Sequence, residues 1–176
     1  LFHQAALLRE TRQAIAEISQ VVGKQLVVVG APLSVGNALY NCGVPLNFGR
    51  PIGAAAKEDI PNYGEFYEGR WFAPGWMSHA TWADLENCQV PFGTNLIFEF
   101  HPEMLDPVTV FLEICESLWM PIPPSSFACL AGAVVVLNQS ASNDTINKAY
   151  YRENLVIGQS GRCSAGYGYA SAGPTE

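Results

Sequence analysis

The stretch from Val108 to Ser126, VTVFLEICESLWMPIPPSS, constrains the chain more than any other. Its first half is β-branched and apolar, and Pro121, Pro123 and Pro124 break its second half. A short apolar run bounded by prolines reads as a buried strand. The end of such a strand is where side chains leave a sheet for a crevice, the usual ligand position in open α/β architectures. Cys115 sits at that exit, beside Glu116. Buried free cysteines mostly behave as small apolar residues, so this stretch alone allows either a structural or a catalytic thiol.

The rest of the chain has to supply the core this strand needs. With 176 residues, 49% hydrophobic and 14% charged, it is long and apolar enough to do so. No apolar run reaches the roughly 18 residues of a membrane span. The net charge of −7 argues against nucleic acid or an anionic membrane as partner, because both reward clustered lysine and arginine. The opening LFHQAALLRETRQ is too polar to read as a secretory signal. The five cysteines, Cys42, Cys88, Cys115, Cys129 and Cys163, are odd in number and unclustered. They suggest neither a disulfide framework nor a metal site, and they fit a reducing cytoplasm. His3, His79 and His101 are scattered and read as packing or surface residues, so no metal is expected.

Residues 1–22 place apolar groups at helical spacing, with Gly23 as a stop. Residues 25–29, QLVVV, form a strand ended by Gly30-Ala31-Pro32. Residues 37–44 and 51–56 are two more strands, joined through a hairpin turn at Asn47-Phe48-Gly49-Arg50, and Lys57 follows directly. Residues 58–92 show almost no regular pattern but are rich in aromatic side chains between Tyr63 and Trp82. A long irregular segment inside a compact domain is usually functional, and these rings suit a core, a pocket wall or a subunit interface alike. Strands at 94–100 and 108–114, a short helix over 126–132 and a strand at 133–138 come next. A helix over 146–163, with its cap signal at Asn143-Asp144-Thr145, and a strand at 165–171 complete the pattern. The alternation predicts an α/β layered sandwich.

Three segments together carry a resemblance. Lys57 to Phe72, KEDIPNYGEFYEGRWF, matches the pattern K-x-x-L-P-N-Y-x-E-F-Y-E-x-R-x-F, with Ile60 in place of Leu. CESLWMPIPPSS resembles C-E-D-L-W-x-P-x-P-P-S-S, with Ser117 in place of Asp. LNQSASNDTINKAYYRENLVIGQSGRCSAGYGYASAG is similar to an N-L-S-A-S…K/R…R…A-Y-x-Y-x-S-A-G region. In this order the chain resembles the nitrilase-like amidohydrolases, in the form found in glutamine-dependent NAD synthetases.

The resemblance implies a four-layer α-β-β-α sandwich of the nitrilase-like type, incomplete at both ends. Residues 1–176 would then be a partial glutaminase domain, with the C-terminal ATP-dependent synthetase domain lying outside them. It implies amide hydrolysis by a Glu–Lys–Cys triad. Cys115 would be the nucleophile that forms a thioester with glutamine, Lys57 the cation beside it, and Glu65 a second carboxylate at the lysine. Tyr63, Glu116, Ser142 and Lys148 would contact glutamine, with Lys148 on the α-carboxylate and Glu116 on the α-amino group. No cofactor is expected in this domain, and ATP and Mg are expected only in the synthetase domain. The released ammonia would serve amidation of deamido-NAD, and a homo-oligomer is expected.

The family's general-base glutamate precedes the segment that Leu1-Phe2-His3-Gln4 resembles, and nothing in residues 1–176 replaces it, so these residues by themselves are expected to be poor catalysts. Two other readings stand beside this one. One is a stand-alone nitrilase-type amidase acting on another small amide. The other is a non-catalytic remnant that serves binding or assembly. Glu68 and Arg70 read as a structural ion pair or hydrogen-bonding group, and the four cysteines other than Cys115 as core thiols.

Overall fold

The computed structural model of the protein describes residues 2–103 and 106–172. Leu1, expected to lie in the first helix, and Gly173, at the end of the third matching segment, fall outside them. The chain divides into two compact units, Leu1–Leu96 with Pro102–Met104, and Ile97–His101 with Leu105–Glu176.

The first unit pairs one helix, α1 (Ala5–Val21), with a sheet. The sheet is built from β1 (Val27–Val35), β2 (Ala38–Asn47), β3 (Arg50–Pro51), β4 (Ala54–Ala56), β5 (Trp82–Leu85) and β6 (Cys88–Gly93). Strand order is β1-β2-β4-β6-β5, with β3 on β2. The helix buries Ile15 and Ser19, one turn apart on one face. The Ser19 hydroxyl donates back to the Ile15 carbonyl at 2.7 Å, so this buried polar atom has a partner. Ile15 and Val22 join Leu33, Val44, Leu46, Val90 and Phe92 in one core.

Two expectations change here. Gly30-Ala31-Pro32 does not end β1, because the strand runs on to Val35 and turns at Gly36, whose φ is +58°. The strand is an edge of the sheet, where Pro32 costs no central ladder bond. The segment read as irregular contains the hairpin β5–β6, with Leu85 opposite Cys88. Its alternation is real, Ala83, Leu85, Val90 and Phe92 all facing inward, but the Glu86-Asn87 turn lacks a glycine to announce it. Cys88 at the start of β6 is exposed rather than a core thiol, whereas Cys42 is fully buried and burial pushes its thiol pKa far up.

The expected hairpin at residues 47–50 is present, with Asn47 opposite Arg50. Phe48 and Gly49 both adopt positive φ, +48° and +77°. Their N–H groups donate to the Gly23 and Val22 carbonyls at 2.8 and 2.9 Å, just past the end of α1.

The second unit is the sheet β10-β9-β8-β7, from β7 (Ile97–Phe100), β8 (Val108–Ile114), β9 (Val135–Ser140) and β10 (Gly166–Ser171). β8, β9 and β10 are parallel, and β7 is antiparallel to β8. Parallel neighbours need crossovers. Here they are α2 (Pro124–Leu130), between β8 and β9, and α3 (Lys148–Cys163), between β9 and β10. α2 opens with proline at its first position, where the missing N–H has no helical partner to lose. Phe111, Ala128, Ala133 and Val136 form the core between helix and sheet. α3 starts later than the 143–145 signal predicted. Its cap is Asn147, in the left-handed region at φ +65° and without a side-chain cap bond, while Asn143 accepts a hydrogen bond from the Lys148 ammonium.

Candidate active site

The first group of site residues lies where β4 ends. The Ala54–Ala56 strand is wholly buried, and Lys57, the next residue, is held on both sides of its peptide. Its N–H donates to the Asn41 carbonyl at 2.8 Å, and its carbonyl accepts from Gly75 N–H at 2.7 Å. Its side chain is only 3% exposed, and its ammonium donates to Glu68 Oε2. The other carboxylate oxygen, Oε1, accepts from Asn41 Nδ2 at 2.6 Å. An ammonium removed from water needs such a partner. Of the structural ion pair or hydrogen-bonding group expected of Glu68 and Arg70, Glu68 bonds Lys57 and Asn41, while Arg70 stacks its guanidinium over Tyr67 and Trp71, 5.7 and 5.2 Å from the ring centres.

Glu65 and Tyr63 occupy the exposed loop before Glu68, with Tyr63 edge-on to Phe66 at 5.9 Å. Of the aromatic residues in this region, Phe72 is buried, while Tyr63, Tyr67, Trp76 and Trp82 are exposed.

The second group lies at the carboxyl edge of the parallel strands. In the register of that sheet, Ile114 faces Gln139, and Gln139 faces Ala170. Cys115, Ser142 and Tyr169 therefore collect at one edge, the position where such sheets hold ligands. Cys115 begins a 3₁₀ turn, Cys115–Trp119, with φ +48°. Non-glycine residues rarely adopt this left-handed conformation, and it persists only where the surroundings enforce it. Its N–H donates to Asn138 Oδ1 at 3.0 Å. That bond takes the nucleophile candidate's own amide out of service for any oxyanion.

Beside it, Tyr169 donates to Ser140 Oγ at 2.6 Å. Burial raises the Tyr169 phenol pKa, and the neighbouring Cys115 charge adds to the rise. Lys148 lies over the Trp119 ring at 5.2 Å, bonded to Asn143. Glu116 is buried in the turn, and Ser142 is half-buried.

The structure thus joins Lys57 to Glu68 and Asn41 in the first unit. In the second it collects Cys115, Ser142 and Lys148 around one sheet edge. Sequence reasoning did not single out Asn41 or Asn138, whose roles depend on which carbonyl or amide folds against them. Glu68 was visible in the matching segment as a structural group, but its lysine partner was not. Among the described residues no cluster of three or more His, Cys, Asp or Glu is arranged for a metal ion, and no helix is long and apolar enough to cross a membrane.

Comparison with known proteins gives these groups a context. No family model matches the chain. It is 42% identical over 151 residues to a glutamine-dependent NAD(+) synthetase of Mycobacterium leprae, an alignment covering 86% of this chain and 22% of that protein. Among solved structures, it matches a glutamine-dependent NAD(+) synthetase from Cytophaga hutchinsonii with a TM-score of 0.81 and 29% identity, over 97% of this chain and 27% of the other. A CN-hydrolase superfamily protein from Xanthomonas campestris shares the fold at a TM-score of 0.55 and 10% identity, over 92% of this chain and 51% of the other. The chain spans about a fifth of the length of the curated relatives it matches. The α/β architecture is of the nitrilase-like type, as the matching segments implied. By sequence the chain belongs to the glutamine-dependent NAD synthetase family, and its fold is of the nitrilase-like, CN-hydrolase type.

Proposed function

We propose that these residues carry the lysine and the cysteine of a glutamine amidohydrolase, whose ammonia is used for ATP-dependent amidation of deamido-NAD in a separate synthetase domain. The observation that carries this reading is the left-handed Cys115 at the end of β8, on a chain 42% identical to a glutamine-dependent NAD(+) synthetase. A strained residue at a strand exit suits a nucleophile presented to a ligand.

In this reading the Cys115 thiol gives its proton to the general base, a glutamate in the family pattern. The thiolate then attacks the side-chain amide carbon of glutamine, and the carbonyl electron pair moves onto oxygen. The Lys57 ammonium and the Glu116 N–H stabilise that oxyanion; the Cys115 N–H is already spent on Asn138. Collapse of the tetrahedral species breaks the carbon–nitrogen bond, and the base returns its proton to the leaving ammonia. Water then attacks the thioester through a second oxyanion, releasing glutamate and the free thiol. Glu68 aims the Lys57 side chain through their ion pair. Glu65 adds a second carboxylate near the lysine, while Tyr63, Glu116, Ser142 and Lys148 hold the amino-acid end of glutamine.

The test uses the complete protein, wild type beside Cys115→Ala. The variant should lose glutamine-dependent NAD formation by at least about a thousandfold, a loss typical of removing a catalytic nucleophile. It should still form NAD from added ammonium. Unchanged ammonia release from glutamine sinks the reading.

A further inference from the structure

Glu113 breaks the pattern of its own strand. β8 runs Val-Thr-Val-Phe-Leu-Glu-Ile, and its last five residues are all buried. A carboxyl group 2% exposed in such a strand is expensive unless bonded, and an apolar residue of the same size would pack without that cost.

The partners of Glu113 lead to Cys115. Tyr167, from β10, donates its hydroxyl to Glu113 Oε2. The same hydroxyl accepts from Asn138 Nδ2, on β9, at 3.0 Å. Asn138 is 1% exposed, and its Oδ1 accepts from the Cys115 N–H at 3.0 Å. On its other oxygen, Glu113 accepts from Ser125 N–H at 3.0 Å, just beyond the turn. Gln159 Nε2, from α3, then donates to Ser125 Oγ at 3.0 Å and Ser126 Oγ at 2.9 Å. One carboxylate therefore ties down the chain on both sides of the Cys115–Trp119 turn.

The direction of these bonds is as informative as their number. Both oxygens of the Glu113 carboxyl accept, one from the Tyr167 hydroxyl and one from the Ser125 N–H. The carboxyl fixes the Tyr167 proton toward itself, which leaves the phenol's lone pairs for an amide nitrogen. That fixes which way the Asn138 amide faces, and so presents oxygen, not nitrogen, to Cys115. Without the relay, the Cys115 N–H is left to hold the Asn138 amide in that orientation by itself, and the left-handed Cys115 is held less firmly.

We propose that Glu113, Tyr167 and Asn138 are positioning residues, a three-strand relay that holds Cys115 in its left-handed conformation with its amide turned away from substrate. The inference rests on the reading of Cys115 as nucleophile.

The test uses the complete protein carrying Tyr167→Phe, which removes one oxygen and keeps the ring. Three quantities are compared with wild type: kcat and KM for ammonia release from glutamine, the rate of Cys115 alkylation by iodoacetamide followed residue by residue by mass spectrometry, and the thermal midpoint. Exposed Cys88 provides an internal reference for the alkylation. Misplacing a reacting group by about 1 Å costs up to about a hundredfold. The expected result is therefore a fall in kcat of at least about tenfold, a KM within about twofold, and a matching change in Cys115 alkylation with Cys88 unaffected. Asn138→Ala should act in the same direction. The double variant should be no worse than Asn138→Ala alone, because both act through one bond.

A lower thermal midpoint with kcat and Cys115 alkylation unchanged means that the relay only supports the fold, and overturns the proposal. Additive losses in the double variant overturn it as well. Should Asn138→Ala not fold, Tyr167→Phe and Glu113→Gln carry the test on the same criteria. If Cys115→Ala leaves ammonia release intact, the nucleophile reading fails; the alkylation rate then still decides whether the relay positions Cys115.

Discussion

Lys57 and Glu68, eleven residues apart, meet as an ion pair at the end of a buried strand, the lysine side chain 3% exposed and the glutamate 17%. The pair is nearly dry on the lysine side, so removing the anion strands a charge. Glu68→Gln keeps an acceptor for Asn41 but turns a neutral amide toward the ammonium. Breaking a buried pair from one side costs on the order of 3 kcal/mol. Chemical denaturation should show a loss of that size, and ammonia release by the complete protein should fall with it. A variant as stable as wild type removes Glu68 from the account of Lys57.

Gly75 presses on the same strand end. A Cβ placed there would sit 2.5 Å from Thr94 Cγ2, 2.7 Å from Ala56 Cβ and 3.1 Å from the Ala56 carbonyl. The backbone would have to retreat, and Gly75 N–H is the donor to the Lys57 carbonyl. Gly75→Ala is expected to cost about 1–3 kcal/mol through overpacking. Glutamine turnover should fall more than stability alone explains. Comparing the denaturation midpoint with kcat per folded enzyme separates the two effects.

Burial raises the Glu113 carboxyl pKa, against the opposing bonds from Tyr167 and Ser125. With a raised folded-state pKa, the native protein keeps a proton that the unfolded chain releases. The associated stability is full below the ordinary carboxylate range, near about pH 4, and is lost as pH climbs through the raised value. Glu113→Gln has no such proton to lose. The difference in denaturation midpoint between wild type and variant should therefore shift toward the variant as pH rises from the ordinary carboxylate range through the raised value. A difference constant over that range contradicts the expectation.

Lys148 is placed over the Trp119 ring and bonded to Asn143. Lys148→Met keeps most of the side-chain stem and removes the charge. Loss of a charge-assisted bond to the α-carboxylate of glutamine should raise KM about tenfold with kcat nearly unchanged. A fall in kcat at constant KM would move Lys148 from substrate binding to another role.

The positions of Lys57 and Cys115 were legible because each comes directly after a largely apolar strand, and strand ends are marked by local chemistry. The partners of those residues were not. Glu68 lies in an irregular loop and meets Asn41, on β2, and Lys57, at the end of β4, far from it along the chain. Asn138 meets Cys115 across two strands, a relationship set by register rather than by spacing along the chain. Asn143 looked like a helix cap because Asn usually is one, until Lys148 claimed its oxygen. The β5–β6 hairpin escaped because its Glu86-Asn87 connection lacks the glycine that marks a tight turn.

The Phe48-Gly49 turn has a practical meaning for anyone who wishes to label this domain. From outside it resembles an ideal insertion point, a two-residue tip with an exposed phenylalanine. Yet both of its amides hold the chain just past the end of the first helix, a distant part of the sequence. An epitope tag or fluorophore loop inserted there would release the segment after α1 as well as lengthen a hairpin, and a graft that spares those two amides belongs elsewhere.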